Sequence, residues 1–119
     1  MKRFCVNLTC AKNDPDKATV AFAMANVAAA ADNETMVFLS VEAVRLSQKG
    51  YADDIREAAF PPLTELMIKF ATAGGRILVC DHCFAKRKLD ANNLVKGATI
   101  AGGSELVKFL SDGAPCISF

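Results

Sequence analysis

The chain has 119 residues, 14 Lys and Arg against 13 Asp and Glu, and a hydrophobic fraction of 52%. This length suffices for one packed core but not for two, so we expect a single domain over residues 1–119. The hydrophobic fraction excludes an intrinsically disordered chain. A formal net charge of +1 provides no basic surface for nucleic acid or for an anionic membrane, so we expect neither as a partner.

The start of the chain has only a short apolar run, broken at Asn7, which does not form a signal peptide. The longest nearly apolar run, residues 18–31, is shorter than the roughly 20 residues that cross a bilayer. Five cysteines are an odd number, and a chain of this size folds without disulfides. We therefore expect a cytoplasmic protein with mostly reduced thiols and no cofactor.

Residues 3–8 form a short apolar run that predicts a strand buried on both faces of a parallel sheet. Asp14 and Pro15 then predict a helix start, with Asp14 as the N-cap and Pro15 at the first helical position. We expect this helix to continue to about Ala31.

The first helix is apolar on nearly every side. Its main predicted stripe is Val20, Met24, Val27 and Ala31, and most of the remaining residues are alanine. A helix of this composition is buried on more than one side. In so small a domain the second cover is expected to be another subunit, which predicts oligomerisation.

A second strand is predicted at residues 35–39, followed by Ser40 as the cap of a short helix over residues 41–46. Pro61 and Pro62 open the clearest helix, which ends at Gly74 and Gly75. Apolar residues at positions i, i+3, i+4 and i+7 form its predicted inward face: Leu63, Leu66, Met67 and Phe70.

The third strand is predicted at residues 76–80 and the fourth at 97–101. A last helix follows with Leu106, Phe109 and Leu110 inward, and residues 116–119 complete the sheet. Strands that alternate with helices predict a mostly parallel α/β sheet of about five strands with helices on both faces.

In open parallel sheets, ligands bind beyond the carboxyl ends of the strands. The predicted strand ends bring four segments to that edge: Thr9 and Cys10, Ser40, Cys80, and Gly102-Gly103-Ser104. Cys10 is either a thiol of this site or a small loop residue. The Gly102–Ser104 turn either binds an anion or only lets the backbone pass, with Ser104 capping the helix.

Cys80 is the best candidate nucleophile, because it leaves a strand where the chain turns into a helix. Amide dipoles at that turn would favour the thiolate, and Lys86 and Arg87 would add to the effect, whereas Asp81 opposes it. The alternative is a buried and unreactive cysteine.

Cys83 forms a C-x-x-C pair with Cys80, a spacing that suits a redox dithiol or half of a zinc site. Zinc would need two further ligands, and the chain has no second C-x-x-C, so we expect no metal site. His82 is either a proton donor or acceptor, or an ordinary surface residue. Cys5 and Cys116 lie in apolar strands and are expected in the core.

Several segments together resemble the DsrE/DsrF-like family of small sulfur-relay proteins over nearly the whole chain. They are the Asp14-Pro15 helix start, the runs 38–42 and 49–53, the Pro-Pro-Leu-x-Glu-Leu helix at 61–66, the stretch Val-Cys-x-x-Cys-Phe-x-Lys-Arg at 79–87, and the segments 97–102 and 110–114.

The resemblance implies a flavodoxin-like sheet and homo-oligomers such as trimers or hexamers. It also implies that Cys80 carries persulfide sulfur between donor and acceptor proteins or small sulfane-sulfur compounds. Cys83 occurs in only part of the family and would be an accessory or resolving thiol. Some relatives lack the cysteine of the Cys80 position, so two alternatives stay open: dithiol redox chemistry at Cys80 and Cys83, or a non-catalytic oligomer that binds a small molecule.

Overall fold

The computed structural model describes residues 2–119 as a five-stranded sheet with helices. The strands are β1 Arg3–Leu8, β2 Glu34–Leu39, β3 Arg76–Cys80, β4 Ala98–Ala101 and β5 Cys116–Ser118. All neighbouring strands are parallel, in the order β4-β3-β2-β1-β5. The predicted open parallel α/β sheet is confirmed.

Within residues 2–119, four α-helices and one 3₁₀ helix connect the strands. They are α1 Pro15–Ala30, the 3₁₀ helix Val41–Ser47, α2 Leu63–Thr72, α3 Asp81–Lys86 and α4 Gly103–Leu110. In the described part of the chain, residues 2–119, none of them is long and apolar enough to cross a membrane.

The sheet has a thickly covered face and a thinly covered one. On the first, Val6, Val37 and Val79 pack with Phe22 of α1 and Phe70 of α2 in the larger core. On the second, a smaller core consists of four strand residues, Cys5, Met36, Phe38 and Leu78, packed with Phe109 of α4. Helices on both faces agree with the prediction, but among the described residues α4 is the only α-helix that contributes a buried residue to the second core.

The start of α1 is confirmed, since the Asp14 side chain accepts a hydrogen bond from the Lys17 N–H at 3.1 Å and Pro15 is the first helical residue. The predicted inward stripe is wrong. Phe22 faces the sheet, whereas Met24 is 39% and Val27 61% exposed. The alanines beside Phe22 let the helix lie close to the sheet, and their small size made the two faces hard to distinguish from sequence.

The helix α2 has the predicted buried face, and the turn after it requires glycine. A Cβ on Gly75 would lie 2.4 Å from the Phe70 ring, closer than real Cβ contacts. The Phe70 ring itself packs edge-on against Phe22, with ring centroids 6.0 Å apart. Gly75 therefore lets β3 start directly beneath this aromatic pair.

Candidate functional site

Cys80 lies at the carboxyl end of β3, where no loop separates strand from helix. It is the last residue of β3, pairs with Ala101 of β4, and is the N-cap residue of α3. Because β3 lies between β2 and β4, Cys80 is flanked by strands on both sides. Its half-buried position leaves part of the side chain open to solvent. The strand end and the immediate turn into a helix are as predicted.

Burial raises the pKa of the Cys80 thiol above its ordinary value of 9.0. The backbone N–H groups of Cys83 and His82 act in the opposite direction, and the neighbouring Cys83 thiol adds to the increase. The predicted amide effect is therefore present, but burial outweighs it. Cys80 is a protonated thiol at neutral pH, with a small thiolate fraction.

Cys83 is held against the 3₁₀ helix. Its Sγ accepts a hydrogen bond from the Val41 N–H at 3.2 Å, and the side chain is half-buried. Val41 has a φ of +55°, a left-handed conformation that is rare for a β-branched residue. This unusual backbone accompanies the Val41–Cys83 contact and leaves the Val41 side chain 48% exposed beside the thiol pair.

An ion-pair network fixes the far end of α3 to the same 3₁₀ helix. Arg87 donates from Nε to Glu42 Oε2 at 2.6 Å and from Nη1 to the Cys83 carbonyl at 3.2 Å. Arg45 donates to the other Glu42 oxygen at 2.9 Å. These partners, Arg87 first, lower the pKa of Glu42. Sequence reasoning missed this role for Glu42, because nothing in the spacing links residues 42 and 87.

Arg87 was expected to assist the Cys80 thiolate, and the structure corrects this. Its side chain is only 11% exposed and is bound to Glu42 and to the Cys83 carbonyl. The guanidinium therefore supports the backbone around Cys83, and Arg87 is not among the groups that shift the pKa of Cys80. Lys86, the other expected cation, is exposed at the end of α3.

His82 and Asp81 interact with each other at the surface. Asp81 Oδ1 accepts from the His82 N–H at 2.7 Å and lies 2.9 Å from His82 Nδ1. The His82 side chain is 95% exposed. Asp81 also approaches the end of β4, since a Cβ on Gly102 would lie 3.6 Å from its Oδ2. The pair thus forms the solvent side of the turn that contains Cys80.

The other predicted rim residues lie at the same sheet edge but further from Cys80. Thr9 Oγ1 donates to the Phe119 carbonyl at 3.0 Å and lies 3.7 Å from Cys10 Sγ. Since β1 is two strands from β3, Cys10 is displaced from Cys80 by about 10 Å across the sheet. Ser40 is closer, because it follows β2 and precedes Val41.

Two capping expectations at this edge are wrong. Ser40 stands at the N-cap of the 3₁₀ helix but makes no side-chain capping bond. Ser104 lies inside α4, whose N-cap is Gly102 and whose first residue is Gly103, so the helix starts earlier than expected and has no side-chain cap. Anion binding at this turn stays a prediction.

The thiols outside the pair also differ from one another. Cys5 is buried as expected, whereas Cys116 is exposed, because β5 is a three-residue strand at the edge of the sheet. Within residues 2–119 no three His, Cys, Asp or Glu side chains come together as a group that could hold a metal ion.

Comparison with known proteins assigns the chain to a family. The family model described as the DsrE/DsrF-like family matches residues 2–119. The chain belongs to the DsrE/DsrF-like family. A curated relative, the uncharacterized protein MJ0760 of Methanocaldococcus jannaschii, is 32% identical over 108 residues, which are 91% of this chain. The chain spans only 39% of the length of that relative.

Two solved structures have the same fold as this DsrE/DsrF-like chain. The ychN protein from E. coli superposes with a TM-score of 0.83 at 15% identity, and a protein of unknown function, MTH1491 from Methanobacterium thermoautotrophicum, with 0.71 at 16%. Each comparison covers 100% of both chains. At these identities the likeness concerns the fold, and the chemistry must be argued from Cys80 and its neighbours.

Proposed function

We propose that this DsrE/DsrF-like chain is a sulfur carrier that holds a persulfide on Cys80 and passes it to an acceptor thiol. The observation that carries the proposal is the position of Cys80, a partly open thiol at the carboxyl end of a central strand, at the start of α3 and next to Cys83. Family membership supports the general link to sulfur relay.

The proposed reaction needs no external oxidant. The Cys80 thiolate attacks the outer sulfur of a donor persulfide, forms the Cys80 persulfide and releases the donor thiolate. An acceptor thiolate then attacks the outer sulfur of Cys80 and releases the Cys80 thiolate. The raised pKa of Cys80 keeps the thiolate fraction small, but a thiolate of higher pKa is the stronger nucleophile.

Cys83 is the accessory thiol in this proposal. The Val41 N–H fixes its Sγ, and its thiol is close enough to Cys80 to raise the pKa of that group. A Cys83 thiolate that attacked the outer sulfur of the Cys80 persulfide would take over the sulfur, with no change in oxidation state. We expect Cys83 to affect the rate of transfer more than the loading of Cys80.

The test is intact-mass analysis after incubation with glutathione persulfide. The wild-type chain should gain one sulfur atom that a thiol reductant removes, and a digest should locate it on the peptide that contains Cys80. Cys80→Ser should abolish the gain on this peptide, whatever sulfur the exposed Cys116 takes up. Cys10→Ser is the matched control, because Cys10 is also half-buried at the same sheet edge. Equal loading of Cys80→Ser and wild type would refute Cys80 as the carrier.

Dithiol redox chemistry is the second candidate, and the placement of the C-x-x-C pair at the start of α3 favours it. Cys83 raises the pKa of Cys80 through a side-chain hydrogen bond and through charge. Oxidation by glutathione disulfide would join the two sulfurs, form two molecules of glutathione and require Cβ atoms about 4 Å apart. A Cys80–Cys83 disulfide in a peptide map would support this function, and its absence after such oxidation would contradict it.

We also propose that the chain forms a homo-oligomer through the outer face of α1. Met24 and Val27 are exposed there, and residues 18–31 contain no charged side chain. A second copy of the same uncharged face would cover these side chains without burying a charge. The sulfur donor and acceptor would then approach Cys80 at the carboxyl end of β3 in each subunit.

A further inference from the structure

A second pair of thiols lies away from Cys80 and Cys83, on adjacent strands at the thinly covered face of the sheet. Cys5 of β1 and Cys116 of β5 are direct partners in the parallel register. Residues that are paired across adjacent strands point to the same face. The Cys5 side chain belongs to the smaller core on the face of α4, and the Cys116 side chain therefore also points to that face.

The spacing of the two residues suits a disulfide. Neighbouring strands in a sheet are about 4.8 Å apart, and bridged cysteines have Cα atoms roughly 4.4–6.8 Å apart. Both thiols are free in the structure. Burial raises the pKa of Cys5 to about 12, and the neighbouring Cys116 thiol adds to the increase.

The two thiols differ in exposure, which separates their roles. Cys116 is exposed, whereas Cys5 has no accessible surface. A reagent in solution therefore reacts with Cys116 first. Cys5 can then react only with the modified Cys116 beside it. This order is typical of an attacking thiol followed by a resolving thiol.

The backbone of β5 can also move slightly at Cys116. It has three residues, lies at the edge of the sheet and pairs with β1 only over Cys116–Ser118. A short edge strand adjusts its distance and twist more easily than a central strand does. The small closure that a disulfide requires is therefore available on the β5 side.

We propose that Cys5 and Cys116 form a thiol-oxidation site, in which a small disulfide such as glutathione disulfide converts the pair into an intrachain disulfide. The Cys116 thiolate attacks glutathione disulfide, forms a Cys116–glutathione mixed disulfide and releases one glutathione thiolate. The Cys5 thiolate then attacks Cys116 Sγ and releases the second glutathione. The two protein thiols are oxidised and one glutathione disulfide is reduced to two glutathiones.

The bridge would connect β5 to β1, the strand that precedes Thr9 and Cys10. Phe119, which follows β5, accepts hydrogen bonds through its carbonyl from the Thr9 N–H at 3.1 Å and the Thr9 hydroxyl at 3.0 Å. Oxidation therefore restrains β5 and Phe119, and Phe119 contacts Thr9 in the loop after β1. The second step is the slow one, because the buried Cys5 forms little thiolate.

The experiment oxidises the full chain carrying Cys10, Cys80 and Cys83 all changed to Ser, so that only Cys5 and Cys116 can react. After incubation with glutathione disulfide, the chain should lose the mass of two hydrogen atoms, and a non-reduced digest should contain a peptide pair joined through Cys5 and Cys116. A stable Cys116–glutathione adduct, or no reaction, would overturn the proposal.

Two further variants in the same background separate the steps. Cys5→Ala should stop at the glutathione adduct on Cys116, whereas Cys116→Ser should leave Cys5 unmodified. Amide hydrogen exchange on the oxidised triple-serine chain reports the bridge alone, because the wild-type chain has further free thiols at Cys10, Cys80 and Cys83. Exchange at Ile117 and Thr9 should slow on oxidation and return to its former rate after reduction, and an unchanged rate would contradict the link between the bridge and the β1 loop.

Discussion

The Val41 N–H lies 3.2 Å from the Sγ of Cys83, and Val41 adopts a left-handed φ of +55° where it makes this contact. The next residue, Glu42, binds Arg87, which in turn binds the Cys83 carbonyl. The 3₁₀ helix therefore contacts Cys83 at its sulfur directly and at its carbonyl through Arg87. The position of the accessory thiol depends on this connection between two elements that are distant in sequence.

Arg87→Ala should loosen Cys83 and lower the free energy of unfolding by about 1–3 kcal/mol, because it removes hydrogen bonds of a largely buried guanidinium to a carboxylate and a carbonyl. The matched control is Arg45→Ala, which removes only a part-exposed i,i+3 partner of the same Glu42 and should cost about 0.5 kcal/mol or less. Chemical denaturation measures both. Equal losses for the two variants would contradict a special role for Arg87.

Alkylation kinetics test the environment of Cys80. Because burial and the Cys83 thiol raise its pKa above 9.0, the rate of reaction with iodoacetamide should keep rising with pH beyond the midpoint of an ordinary cysteine. Cys83→Ala removes one cause of the increase but leaves its backbone N–H in place, so the midpoint should move downward. The rates are followed by mass spectrometry of the Cys80 peptide.

Cys10→Ala is the control for the alkylation experiment, since Cys10 lies two strands away and its loss should leave the Cys80 midpoint unchanged. An equal downward movement in both variants would indicate a general change in the fold. A midpoint that did not move in Cys83→Ala would show that the two thiols do not influence each other in solution.

Gly75→Ala should destabilise the fold by about 1–3 kcal/mol, because the new methyl group would lie 2.4 Å from the Phe70 ring and displace it from Phe22. Gly103→Ala is the contrasting variant. It lies at the first residue of α4 with nothing within 4 Å of the new Cβ, and alanine there should raise stability by about 0.5–1 kcal/mol. Thermal and denaturant unfolding compare the two, and a harmless Gly75→Ala would mean that the aromatic pair is loosely packed.

Much of this fold could be predicted from local sequence signals, because they act over a few residues. Apolar runs located the strands, Asp14 and Pro15 located a helix start, and the spacing in α2 identified its buried face. The end of β3 at Cys80 followed from the same patterns. These features depend on hydrogen bonding and burial near each residue.

Other features arise from contacts between distant segments and could not be predicted. The left-handed Val41 contacts Cys83, 42 residues away in sequence, and the partner of Arg87 is 45 residues away. The exposure of Cys116 follows from the strand order, which places β5 at an edge. The inward face of α1 was misjudged because alanine can lie against a sheet or against another subunit equally well.

The same feature of α1 leads to a prediction about assembly. Val27→Asp places a charge on the exposed apolar face of α1, where Val27 is 61% exposed, and should shift the chain to a smaller species in light scattering after size exclusion. Val107→Asp is the matched control, because Val107 on α4 is 63% exposed and lies on the other side of the sheet. If α1 forms the interface, Val107→Asp keeps the wild-type mass, since burial of an unpaired carboxylate is costly only within the contact. If only Val107→Asp lost assembly, the interface would lie on the α4 face, and the proposed α1 interface would be contradicted.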